Sequence, residues 1–282
     1  MSGELADVAE RIDSTRSLGS VIGAMRGIAA ARTHEARAQL DGVRAYARTI
    51  GAAIAQALAL LPRERGDADA PRGAGRIVVA LCAEQGFAGN FNERVLDAAL
   101  AVTAAAPAAS SLFVIGDRGL MLLGARGIEP AWSAPMAAHV DEVPALADRV
   151  ADALYARIAA GTAAGVVLVH AQPTTAMGFE LVHAPLLPFD YDRFAGTHAG
   201  AAPYVTLAPE HLVEQLAQEY VYAELCEALV LSFAAENEAR MQAMVAAHAN
   251  VEKQREALEA EFRRVRQSEI TAEIVQLSSS RL

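Results

Sequence analysis

Two cysteines in 282 residues, Cys82 and Cys226, are too few for a disulfide framework or a cysteine-ligated zinc cluster. The first lies in an apolar strand-like run and the second in a helical run, which predicts buried free thiols in a reducing compartment. Aromatic residues make up only 5% of the chain while alanine is abundant, so helix is favoured over an aromatic-rich β core. Basic charge is also scarce: the formal net charge is −10, which argues against nucleic acid as a partner. No apolar run reaches the ~20 residues a spanning helix needs. The longest lie near Gly19 and Leu58, and Arg26 interrupts the first. The opening MSGELADVAERI has neither the basic start nor the apolar core of a signal peptide. The expectation is a cytoplasmic chain with no direct membrane insertion, meeting a membrane only through partners.

Proline is missing from residues 5–61, and neither proline nor glycine recurs between Pro209 and Leu277. Apolar residues alternate at spacings of three and four in both stretches, the signature of a heptad seam. The first seam reads Ala36, Leu40, Val43, Ala47, Ile50, Ile54, Ala57, Leu61. The second reads Met241, Met244, His248, Val251, Arg255, Leu258, Phe262, Val265. At 1.5 Å per residue these predict helices of about 85 and 100 Å, which most economically pair as an antiparallel two-helix coiled coil. Arg255 and Glu269 fall in the second seam, where polar residues either set register or mark the end of the partner helix. Seven arginines against three acids between Arg11 and Arg48 make the first helix basic, which suggests an acidic partner for it.

Between the long helices the pattern changes. RIVVALCA (76–83), SLFVIGDRG (111–119) and GVVLVHAQ (165–172) read as buried strands, and FELVHAPLLPFD (179–190) as a further closing strand. Helical patterns lie around 92–105, 120–127 and 142–160. Alternation of this kind implies a parallel, doubly wound, Rossmann-like sheet. The expected organisation is a helix over 1–61, a linker over 62–75, an inserted α/β domain over 76–204 and a helix over 205–282.

Candidate chemistry is sparse. The strand-to-helix loop AEQGFAGNFN (83–92) has Gly86 and Gly89 but neither GxGxxG nor the Lys-Ser/Thr of a phosphate loop, so turn geometry outweighs nucleotide binding. The seven histidines (34, 139, 170, 183, 198, 211 and 248) lack ligand spacing, so no metal is expected. In GDRG (116–119), Asp117 is expected to cap the following helix. HAQPTTAMG (170–178) brings hydroxyls to a strand end without a paired carboxylate. No catalytic residue and no cofactor are expected. The one oddity is GSVIGAMRG (19–27), which sets Gly19, Gly23 and Gly27 on one helix face at about 1 kcal/mol each relative to alanine. That flat face suits close packing by a partner helix or by a surrounding sleeve.

RIDSTRSLGSVIGAMRGIAAAR (11–32) resembles the opening helix of the gamma subunit of F-type ATP synthases. AENEARMQAM and RQSEITAEI, in that order near the end of the chain, are similar to its closing helix, and EQGFAGNFN (84–92) matches its middle loop more loosely. The resemblance implies a non-catalytic rotor. Its helices would turn inside a ring of alpha and beta subunits, and its α/β domain would stand on the membrane c ring beside epsilon, at the cytoplasmic face of a bacterial inner membrane. Ion flow would thereby be coupled to ATP synthesis and hydrolysis. It further implies that Met25 and Arg26 face beta-subunit loops and that Arg266 and Gln267 hydrogen-bond a beta-subunit catch loop, for which Arg's forked donors are suited.

The chain departs from the family pattern at Gly19 and Gly23, in the middle loop (84–89), at Leu207 and Ala208, and in the tail SSSRL. These departures suit a divergent or second-copy form. The alternative from composition alone is a small-molecule-binding α/β enzyme dimerised through coiled-coil ends. The two differ in whether the heptads pair within one chain or with a second copy.

Overall fold

The computed structural model describes residues 3–61, 75–105, 110–175, 178–194 and 204–279. Residues 62–74 of the expected linker, His198, and residues 280–282 of the tail lie outside them. Two compact units make up the chain, Met1–Ala29 with Arg240–Leu282, and Ala30–Ala239.

The first unit is built from the opening of α1 (Gly3–Leu58, 56 residues) and the closing part of α5 (Pro209–Ser279, 71 residues). Freedom from proline and richness in alanine let both helices run without interruption. They are antiparallel. Ile22 packs with Met244 and Val251, and the Arg11 guanidinium reaches Glu261 at 4.0 Å. Leu5, Val8, Thr15 and Ile22 are buried on α1, and Met244, Val251, Leu258 and Val265 on α5, at the heptad spacing of a two-helix seam. Arg255 sits between two of those buried residues, so the partner helix has not ended there. Its guanidinium is held by Glu252 at 2.7 Å.

The second unit is a five-stranded sheet of order β3-β2-β1-β4-β5. The strands are β1 (Gly75–Leu81), β2 (Ser110–Ile115), β3 (Trp132–Ala134), β4 (Ala163–Pro173) and β5 (Phe179–Leu187). Alternate residues of β1 serve opposite faces, as the pleat dictates. Ile77, Val79 and Leu81 join α4 (Val143–Ala159), α5 and Ala36 of α1 in one core. Val78, Ala80 and Cys82 join α2 (Phe91–Ala105) and α3 (Asp117–Ala125) in the other. Helices on both faces match the doubly wound expectation, and the seam from Ala36 to Leu61 is buried or half-buried throughout. Its basic residues meet acids of the same chain: Arg37 approaches Glu238 at 3.7 Å and Arg44 holds Glu227 at 2.8 Å.

Two expectations need correction, and one strand is added. The sheet is not wholly parallel: β5 runs antiparallel to β4, because the segment 174–178 is far too short for a crossover. The edge strand β3 was not anticipated, since three residues carry no readable period. Asp117 does not cap α3. It is the first helical residue and no side chain of its own caps the turn. Its N–H donates instead to Glu84 Oε2 at 3.2 Å, and the same oxygen accepts the Met136 N–H at 2.7 Å. Gly116 precedes it at φ 100°, where a Cβ would stand 2.4 Å from the Cys82 carbonyl oxygen.

Candidate partner-binding surfaces

In the first unit, α1 turns one stripe toward α5 and leaves another open. Leu18, Val21 and Ile28 each expose half or more of their surface. With the half-buried Met25 they recur at spacings of three and four, a second apolar face on the same helix. Arg26 is exposed and has no hydrogen-bond or ion-pair partner among the described residues. Met25 is divided between two roles, since it also packs against the Ile22, Met244 and Val251 cluster.

The three glycines are not equivalent. A Cβ on Gly19 would lie 3.4 Å from Val251 Cγ1, an ordinary contact, whereas at Gly23 and Gly27 it would meet nothing within 4 Å. Close packing by the chain's own helix is therefore confined to Gly19. Any close approach at Gly23 and Gly27 belongs to another molecule.

Beyond Val265 every α5 residue up to Ser279 is exposed except the half-buried Glu269. Ile270, Ile274, Val275 and Leu277 give this segment an open apolar side. Arg266 and Gln267 are both exposed at its start, and Thr271 Oγ1 donates to the Gln267 carbonyl at 2.9 Å. Arg266 has no partner among the described residues, so its five donors are available to a carboxylate.

The second unit carries the crevice at the carboxyl ends of its strands, the place where open α/β sheets bind nucleotides. Backbone groups of Leu81 and Ala83 at its floor are engaged within the chain. Ser232 Oγ of α5 donates to the Leu81 carbonyl at 3.1 Å. The Ala83 N–H goes to Asn92 Oδ1 at 2.8 Å, and the Ala83 carbonyl accepts from the Arg118 N–H at 3.2 Å. A Cβ on Gly86 would stand 3.2 Å from the Arg118 guanidinium, so the missing side chain leaves room for that arginine. Cys82 is buried beneath the loop, and burial together with the Glu236 charge raises its thiol far above the ordinary value, leaving it inert. Phe87 stands out of the loop at φ 64° with 67% of its surface exposed.

Residues 4–280 match the family model for ATP synthase. Relatives similar over nearly their whole length are named ATP synthase gamma chain. That of Frankia casuarinae is 30% identical, covering 98% of this chain and 96% of the relative. That of Ruminococcus albus is 26% identical, covering 99% and 98%. The chain belongs to the ATP synthase gamma family. Solved structures share the fold. A chain of the Euglena gracilis mitochondrial ATP synthase OSCP/F1/c-ring matches with a TM-score of 0.66 at 12% identity, covering 99% of this chain and 94% of that one. A chain of the Tetrahymena thermophila mitochondrial ATP synthase central stalk and c-ring matches with a TM-score of 0.55 at 18% identity, covering 80% and 99%. Gamma-family membership sets aside the reading as a coiled-coil-dimerised enzyme.

Glu84 escaped sequence reasoning, because its two acceptor contacts lie on backbone far away in sequence. Also missed was a cavity between the β4–β5 hairpin and α5. Its carboxylates Glu224 and Glu227 come from α5, while HAQPTTAMG (170–178) supplies His170 and Gln172.

Proposed function

We propose that this gamma-family chain is the rotor subunit of a bacterial rotary ATP synthase, making and breaking no bond itself. It transmits rotation between a membrane c ring and the nucleotide sites of an alpha–beta hexamer, beside epsilon. It attaches peripherally at the cytoplasmic face of the inner membrane. No helix among the described residues is long and apolar enough to cross a membrane, which fits attachment through partners. Support comes chiefly from one feature: each long helix fills the other's seam within one chain, and α5 then continues with an exposed, partly apolar end. A dimeriser would leave its seam for a second copy.

On this reading Arg266 and Gln267 hydrogen-bond a beta-subunit loop, and Met25 and Arg26 touch beta-subunit loops from α1. Gly23 and Gly27 give clearance to the sleeve, while Gly19 gives it to α5 of the same chain. Co-expression with alpha and beta subunits from the same source tests the core of this reading, and a chain that never enters an alpha–beta assembly would overturn it. Within the assembly, Arg266→Ala with Gln267→Ala should leave composition intact while coupled ATP turnover falls about tenfold, the loss expected for a charge-assisted hydrogen bond. Unchanged turnover removes the catch. Gly23→Leu, harmless to the isolated chain, should impair assembly or coupling.

A further inference from the structure

A cavity of about 610 Å³ lies in the second unit between the β4–β5 hairpin, the segment from Pro188 to Arg193, and α5. Its size is that of a small-molecule site. Leu168, Phe189 and Leu231 give it an apolar body. Its polar residues are His170, Gln172, Asp190, Arg193, Glu224 and Glu227.

The donors of that polar rim are partly committed to acceptors of this chain. Arg193 donates to Glu224 Oε1 at 2.8 Å and to the Tyr220 hydroxyl at 3.3 Å. Gln172 Nε2 donates to Glu180 Oε1 at 2.5 Å. His170, only 4% exposed, pairs through Nδ1 with the Ala171 carbonyl at 3.2 Å. That contact places the proton on Nδ1 and leaves the Nε2 lone pair unused. Burial lowers the His170 pKa, which keeps the ring neutral and Nε2 an acceptor.

Acceptors, by contrast, are in surplus. Besides His170 Nε2 they are Gln172 Oε1 and Glu227 Oε2, whose sister oxygen takes Arg44 Nε at 2.8 Å. Asp190 accepts from the Asp192 N–H through Oδ1 alone. Once the Arg193–Glu224 and Arg44–Glu227 pairs are discounted, Asp190 leaves the rim with surplus negative charge.

We infer that this cavity binds a small amphipathic cation, an ammonium or guanidinium head on a short aromatic or aliphatic body. Its head donates to Glu227 and to the free acceptors of His170 and Gln172, while its body fills the apolar lobe. An anion would face the surplus negative charge of Asp190 and the unused acceptors of His170 and Gln172, and a neutral apolar ligand would leave those acceptors dry at a desolvation cost. The inference does not depend on the rotor reading, because the cavity is complete within this chain.

Calorimetric titration of the full-length chain with 4-phenylbutylamine, 4-phenylbutanol and 4-phenylbutyrate tests it. The amine should bind about tenfold or more tightly than the alcohol, with the acid weakest. Glu227→Gln keeps a carbonyl for Arg44 but removes the charge, and should weaken the amine about tenfold without affecting the alcohol. Gln172→Leu is a second variant, at the hairpin end, should the first fail to fold, and should weaken the amine as well. Absence of amine binding at millimolar concentration overturns the inference. So does equal affinity for amine and alcohol, or unchanged amine binding in whichever variants fold.

Discussion

Gly119 shows how little room a single side chain has where β1 meets α3. A Cβ there would lie 2.5 Å from both Cβ and Sγ of Cys82, and 3.2 Å from Val114 Cγ1. Gly119→Ala should therefore destabilise the chain by about 1–3 kcal/mol, read as a lower urea midpoint. Cys82→Ala should not restore it, because the clash includes the cysteine Cβ itself. His170 predicts a pH dependence. Burial holds its folded pKa below the ordinary 6.5, so the unfolded chain takes up the proton first as pH falls. Its contribution to stability is complete above about pH 6.5 and declines as pH drops toward the folded pKa. His170→Phe should flatten that acid-side slope when urea midpoints at pH 7.5 and 5.5 are compared, while an unchanged slope would exclude the residue as its source.

Among the elements, the long helices were the most legible in sequence. A 3.6-residue period repeated over dozens of residues is local information, and each seam residue from Ala36 to Leu61 and from Met241 to Val265 is buried or half-buried as its phase requires. The basic character of α1 was legible too, but not its main counterpart, since Glu227, Glu238 and Glu261 lie some two hundred residues away. The direction of β5 could have been read from the brevity of 174–178. The cavity could not, because β4 and α5 bring its polar groups together without any shared motif. Along α5, seam and free end should respond differently to truncation. Leu258→Ala, at a position only 3% exposed, should cost about 2–3 kcal/mol by urea unfolding. Ile270→Ala, at a position 48% exposed, should stay within about 0.5 kcal/mol in the isolated chain. A large loss at Ile270 would mean that the end is already covered within the chain.

For the whole molecule, seams satisfied within the chain predict its state in solution. The isolated 29.6 kDa chain should sediment as a monomer, and a stable dimer at micromolar concentration would revive a dimerising role for the helices. Ion pairs between the long helices should add little to this. Arg11, Arg37 and Arg44 are each about half exposed, and raising the salt concentration should lower the unfolding midpoint only slightly. Residence as a free monomer before assembly also requires a sheet that does not recruit other sheets, and the two margins of this one are suited to that. On one side β3 spans three residues, too few to template a neighbour. On the other, β5 carries Pro185, which has no N–H to offer, near a register shift at Val166/Val167. One margin too short and one interrupted leave little for a second strand to extend, so a chain awaiting its partners resists edge-to-edge aggregation.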